Sequence, residues 1–291
     1  MSTRTLISPA ALATRRGKAL YRTVFALVTG GFTLVFLGPL YWLLSSGFKD
    51  AQEVVRTPPS LVPGSFTPGN YSRAWEVMDL SHLLLNTLFY AFGALAFQLV
   101  LDVAAAYSLS RLRPVLGKAV LGMMLATLMI PATVLVVPQY LTVLDVPLVQ
   151  RNLLNTPWAI WLPSVTNAFN IFLLKRFFDS IPGELLDAAA MDGAGPLRIL
   201  WSIVLPVSRP ILGVVSIFAV VGVWKDFLWP MLTLPDPAKQ TLNVGIYSLS
   251  NGVPVNVLIA ALTIAALPTL LIFLVFQRNI MSGLTAGGLK G

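Results

Sequence analysis

Cysteine is absent from this chain, and histidine occurs once, at His82. Without thiols there is no disulfide framework and no thiolate metal site, and one imidazole cannot build a histidine-ligated centre. No metal and no cofactor are expected. Charge is scarce too. Asp, Glu, Lys and Arg make up only 11% of the 291 residues, against about 25% in a soluble domain. The 12 acidic residues are scattered, whereas a metal-dependent enzyme at a membrane interface needs them clustered. The phosphate-cradling pattern G-x-x-x-x-G-K-[ST] is missing, so ATP is not expected to bind here in that way. No catalytic residue is expected.

Apolar residues are abundant, at 56% of the chain, and they come in long runs. A bilayer core about 30 Å thick needs about 20 apolar helical residues to cross it. Six stretches qualify: Leu20–Ser46, His82–Ser110, Ala119–Val137, Pro157–Phe178, Val207–Leu234 and Val255–Phe276. The reading is an all-α membrane protein whose six helices occupy residues 20–280. A short cytoplasmic segment, 1–19, precedes them and a cytoplasmic tail, 281–291, follows. Arg15, Arg16 and Lys18 resemble the basic start of a signal peptide. The apolar run behind them is too long for one, which predicts a retained first helix.

A net charge of +8 would suggest nucleic acid in a soluble protein. Here the cations lie mostly between apolar runs, where they orient helices, and no nucleic-acid partner is expected. With the N-terminus inside, the outer segments hold Lys49, Arg56, Arg73, Arg151 and Lys239, and Lys225 lies within a span. The other 14 of the 20 basic residues are cytoplasmic. That bias predicts both termini inside. Trp42, Trp158, Trp161 and Trp229 fall near predicted outer ends, as an aromatic belt would.

One cytoplasmic segment, Ser180–Pro206, is too apolar for a solvated loop. Ser180 can cap a helix, Pro182 suits its first turn, and Glu184 complements its positive end. Gly193 stands where a left-handed stop belongs. A second short helix is expected from Pro196 to Ile203, ending before Pro206. Leu185, Ala188 and Ala189 form a thin apolar strip with acidic neighbours. From the residues alone, that strip either docks in another protein or rests on its own membrane domain.

The same segment resembles the cytoplasmic "EAA" loop of the permeases of ATP-binding-cassette importers. The matching positions are Asp187, Ala188 and Ala189, then Gly193, then Ile203, Leu205 and Pro206, with Asp187 standing where glutamate is usual. AAYSLSR (105–111), NIFLLKRFFDSIPGELLDAAAMDGA (170–194) and FQRNIMSGLTAGGLKG (276–291) are similar to the maltose-type carbohydrate permeases. The resemblance implies the type I importer permease fold and import of a sugar or oligosaccharide. It also implies a second permease subunit, two separate ATP-binding subunits and an extracytoplasmic sugar-binding protein. The setting would be a bacterial inner (plasma) membrane. Glu184, Asp187, Ala188, Ala189, Asp192, Gly193, Leu205 and Pro206 would couple the chain to its ATPase. Asn251 and Gly252, in the outer loop Leu234–Pro254, would touch the binding protein.

Three charges lie inside predicted spans: Asp102, Lys225 and Asp226. Such groups face the bundle interior or water. All three are candidates for the translocation pathway, although for Asp102 helix packing is the favoured role. For Lys225 and Asp226, lining the sugar path and pairing within or between subunits both stay open. Two alternatives compete with the importer reading: an ion-driven secondary transporter, and an importer permease for a non-sugar solute. No repeat relates the two halves of the chain, as many secondary transporters would show.

Overall fold

A computed structural model describes residues 14–147 and 149–286, with side chains through residue 277. Most of the predicted N-terminal segment (1–13) and the last residues of the predicted tail (287–291) lie outside this range. All regular structure among the described residues is helical. The chain divides into two compact units, one of residues 1–74 and 253–263, the other of residues 75–252 and 264–291.

In the first unit, α1 runs Arg15–Ser46, so it begins five residues before the predicted span. Thr14 caps it by accepting the Gly17 N–H at 3.0 Å. Its apolar side chains, Phe25, Leu27, Leu34, Val35 and Phe36 among them, are exposed, a surface that suits lipid and not water. The chain beyond α1 is held by polar side chains. Asn70 donates to the carbonyls of Gly47 (3.0 Å) and Lys49 (2.9 Å) and accepts from Asn256 (2.9 Å). Lys49 is buried with its ammonium on the Ser60 carbonyl at 2.5 Å. Glu53 accepts from Ser60 Oγ and the Gly64 N–H, and these bonds hold its carboxyl below the usual range.

The second unit is built around α2, Leu80–Tyr107, which a π turn continues to Leu112. This matches the predicted second span closely. Asp79 caps it by accepting the His82 N–H. The predicted third span, Ala119–Val137, is not one helix. It is α3 (Gly117–Thr127) and α4 (Ala132–Leu144), which meet at 104°. Pro131 sits at the break, since it offers no N–H and drives the preceding residue out of the α region. The predicted fourth span, Pro157–Phe178, is also broken. A short turn of helix at Trp158–Ser164 gives way at Val165–Asn167 to α5, Ala168–Ser180.

Next come α6, Gly183–Met191, and α7, which runs Pro196–Val207 through a π turn at Leu200–Val204. Two details differ from expectation. Pro182 is the N-cap of α6, while Ser180 ends α5 and donates to the Phe177 carbonyl. α7 passes through Pro206, because the widened π turn accommodates a ring that an α-helix would push against the carbonyl four residues earlier. The chain turns only at Ser208, by 82°, into α8, Arg209–Lys225. Seventeen residues rise about 25 Å, so α8 is short for a full crossing. It stops at Asp226, and α9 (Leu228–Thr233) finishes the predicted fifth span. The predicted outer loop 234–254 is largely ordered helix. α10, Leu242–Leu249, buries Leu242, Val244 and Ile246. The last helix, α11, is Val255–Ala286, longer than its predicted span. Among the described residues, three helices are long and apolar enough to cross a membrane, or five if each bent pair is one span.

The core of the second unit joins α2, α5, α7 and α8 through Val103, Ala106, Ile171, Leu174, Phe178, Val204, Ile211 and Val214. Nearer the other end of α2, Gly93 lies directly against the indole of Trp161, which donates to the Tyr90 carbonyl at 3.2 Å. A side chain at Gly93 would overlap that ring. Gly93→Val is expected to cost about 1–3 kcal/mol by overpacking, read as a lower thermal unfolding midpoint in detergent. Gly122→Ala, with open space around the added carbon, should leave the midpoint unchanged or raised.

Candidate functional site

Two places in the second unit concentrate functional chemistry. The first is α6 with its flanks. No residue of α6 is buried, and Leu185, Met191, Leu197 and Trp201 are exposed apolar side chains. The helix ends as its sequence demands. Gly193 has φ +83°, its N–H donates to the Ala190 carbonyl, and the Ala194 N–H donates to that of Ala189, both at 3.0 Å. This pair of bonds is the Schellman stop, which needs a left-handed residue. Glu184 lies in the first turn of α6. Asp187 lines a cleft together with Arg111, Arg113, Ala190 and Pro196. Asp187, Ala188 and Asp192 are exposed, and Ala189 is half-buried. Leu205 and Pro206 lie on α7, Leu205 half-buried and Pro206 exposed.

The second place is a cavity of about 770 Å³. It forms where spanning helices are broken: at Pro163–Asn167 before α5, at the start of α4, and at Asp226 after α8. Its wall carries the polar groups Gln98, Thr133, Gln139, Ser164, Thr166, Asn167, Asn170, Lys225 and Asp226, several of them at the breaks, beside Phe169, Phe218 and Trp229. Polar hydrogen-bonding groups with aromatic faces are what a hydroxyl-rich solute needs.

Lys225 and Asp226 are therefore neighbours on one wall. Lys225 is exposed and makes no ion pair among the described residues, while Asp226 accepts weakly from the Trp229 N–H at 3.4 Å. Asp102 does not join them. It is fully buried and absent from the wall, and its Oδ1 accepts the Asn167 N–H at 3.0 Å. Asn167 in turn caps α5 by accepting from Phe169 and Asn170. A carboxylate at a helix start satisfies freed donors and complements the helix dipole, so Asp102 packs a break. Asn251 and Gly252 are exposed on a turn, Ser250–Gly252, that follows α10.

Several of these groups are marked in the sequence only by local signals. Gln98 stands four residues before Asp102, and Asn167 three before Asn170, spacings that place each pair on one helix face. Tyr107, Ser110 and Arg111 form another cluster, seen in the sequence only as part of AAYSLSR.

The architecture agrees with solved permeases. The chain matches the crystal structure of a bacterial ABC transporter involved in the import of the acidic polysaccharide alginate. The TM-score is 0.79 at 24% identity, over 91% of this chain and 98% of that one. The fold is thus that of an ABC importer permease. Residues 98–285 match the family described as the binding-protein-dependent transport system inner membrane component, and the chain belongs to that family. Relatives include the diacetylchitobiose uptake system permease protein NgcG of Streptomyces coelicolor, 31% identical over 97% of this chain and 92% of that protein. The sulfoquinovosyl glycerol transport system permease protein SmoH of Agrobacterium fabrum is 32% identical over 88% and 89%. The sn-glycerol-3-phosphate transport system permease protein UgpE of Rhizobium meliloti is 29% identical over 89% and 93%.

Two predictions follow from this geometry. Gly193→Val should strain the α6 stop by about 1–2 kcal/mol and loosen any protein docked on α6, measured by what co-purifies with the chain at normal membrane levels. Gly195→Ala, where the backbone is extended and unobstructed, should release nothing. Separately, Lys225→Ala removes no ion pair, so complex yield should hold while solute uptake falls. Reduced yield with unchanged uptake per complex would assign Lys225 to packing.

Proposed function

We propose that this chain is one of two permease subunits of a bacterial importer that carries a sugar or oligosaccharide inward. Two separate ATP-binding subunits would supply the energy, and an extracytoplasmic binding protein would deliver the solute. The exposed, unburied α6 with its Schellman stop is the observation that carries this reading. α6 rests on its own bundle through Leu186, yet it turns Leu185 outward beside exposed Leu197 and Trp201, and that open face supports docking of a partner. Glu184, Asp187, Ala188, Ala189, Asp192, Gly193, Leu205 and Pro206 would form or support the ATPase contact. Lys225 and Asp226 would line the solute path.

Both termini are read as cytoplasmic, with residues 47–79 and 226–254 on the outer side of an inner (plasma) membrane. In that orientation Asn251 and Gly252 face the binding protein. The sugar assignment draws on the diacetylchitobiose and sulfoquinovosyl glycerol relatives. A second reading, an anionic non-sugar solute, draws on the glycerol-3-phosphate relative and on Lys225 in the cavity wall.

The test of function is ATPase stimulation of the reconstituted complex by its binding protein loaded with candidate solutes. Disaccharides should stimulate, and stimulation by glycerol phosphate alone would favour the second reading. The chain's lack of cysteine makes topology directly measurable. Gly69→Cys and Asn251→Cys should react with an impermeant maleimide on spheroplasts, and Gly195→Cys should not. Reaction at the last position from outside would overturn the placement of α6.

A further inference from the structure

α6 is suspended between two fixed points, and the end of α2 holds both. Before α6, Arg111 donates through Nη2 to the carbonyls of Phe178 and Ile181, the latter at 2.7 Å. Beside it, Ser110 Oγ donates to Asp179 at 2.7 Å. After α6, the Tyr107 hydroxyl donates to the Pro196 carbonyl at 2.9 Å. Farther along α2, Asp102 accepts from the Asn167 N–H. Thus α2 grips α5 at both ends as well.

We propose that Tyr107, Ser110 and Arg111 are positioning residues that convert displacement of α6 into movement of the cavity wall. The proposal rests on the reading of α6 as the ATPase contact. A helix tethered at one side could follow an ATPase while the bundle stayed still. Tethered at both sides to α2, it cannot move without carrying α2 and α5, and with them Gln98, Asn167 and Asn170. The joint has little slack. Arg111 holds C-terminal carbonyls, which carry the negative end of the helix dipole. Most of its acceptors are backbone oxygens with no rotamer of their own. The π turn, Ser108–Leu112, closes with Arg113 in the left-handed region at φ +47°, which fixes where the gripping residues stand.

The experiment uses the full transporter, with cysteine-free partner subunits, in lipid nanodiscs. Nitroxides are placed on the cavity wall through Thr133→Cys on α4 and Phe169→Cys on α5. Their distance is measured by pulsed electron resonance without nucleotide and after trapping with ATP and vanadate. In the otherwise unmodified chain the distance should shift on trapping. With Arg111→Met the shift should fall by at least half while trapped nucleotide per complex stays the same. Arg111→Lys, which keeps the charge but loses the two-pronged donor, should fall between them. If Arg111→Met fails to assemble, Tyr107→Phe removes a single hydroxyl and is expected to reduce the shift in the same direction. A full shift in either variant overturns the proposal. Loss of trapping in an assembled Arg111→Met complex also overturns it, because the residue would then serve the ATPase itself. Failure of the unmodified complex to trap nucleotide would instead overturn the importer reading beneath it.

Discussion

Backbone hydrogen bonding in lipid is the constraint on which this structure depends. An unpaired N–H or C=O in hydrocarbon costs several kcal/mol, so irregular backbone at membrane depth survives only where protein or water satisfies it. This chain breaks its helices repeatedly, and α2 side chains answer several of the exposed helix ends and connecting segments. Asp102 takes the Asn167 N–H, Arg111 takes the carbonyls at the end of α5, and Thr87 Oγ1 accepts from the Leu242 N–H. His82, Asn86 and Tyr90 hold the carbonyls of Ala238, Gln240 and Lys239. Elsewhere Asn243 donates to the Trp224 carbonyl at the end of α8. Side-chain donors of this kind are why so few polar residues suffice.

The cavity is a by-product of the same economy. A straight, unbroken helix would present only side chains to a path across the membrane. Broken helices bring capping residues and loop backbone inside the bundle, and capping residues are polar by necessity. Asn167 shows the double use most clearly: its carbonyl oxygen caps α5, while the residue forms part of the cavity wall. Lys225 and Asp226 arise likewise, at the point where α8 gives out.

Much of this was legible in the sequence, and the exceptions have physical causes. The runs behind α1, α2 and α11 are apolar throughout, so their helices lie within a few residues of expectation at most ends. Gly193 was legible because a glycine directly after a short helical pattern, three residues ahead of Pro196, marks a left-handed helix stop. The breaks at Val165–Asn167 and at Asp226 were hidden, since apolar residues continue on both sides and hydropathy does not register direction. Asn167 did offer a start signal, an N-cap before AFNIF, but within an apolar run that signal competes with continuity. α10 was hidden for the opposite reason. Eight residues framed by LPDPAKQ and SNGVP read as loop, and only burial against α2, where Gly245 admits the Leu83 side chain, makes them helix. The Tyr107–Arg111 cluster escaped because its partners lie about 70 to 90 positions away.

The direction of the bonds from α2 has a consequence for how this chain can drift over time. Most run from a side chain on α2 to a main-chain oxygen on the other element. A main-chain oxygen is supplied by any amino acid, so Ala238, Lys239, Pro196 and Ile181 hold their places by geometry and not by identity. The donors have no such freedom, because only particular side chains reach and donate. Genetic change is therefore lopsided across each contact: one side is an address that any occupant can fill, the other a key with few copies. Substitutions tolerated around α6 and residues 234–254 would alter the exposed surface there while leaving the frame beneath it unaltered.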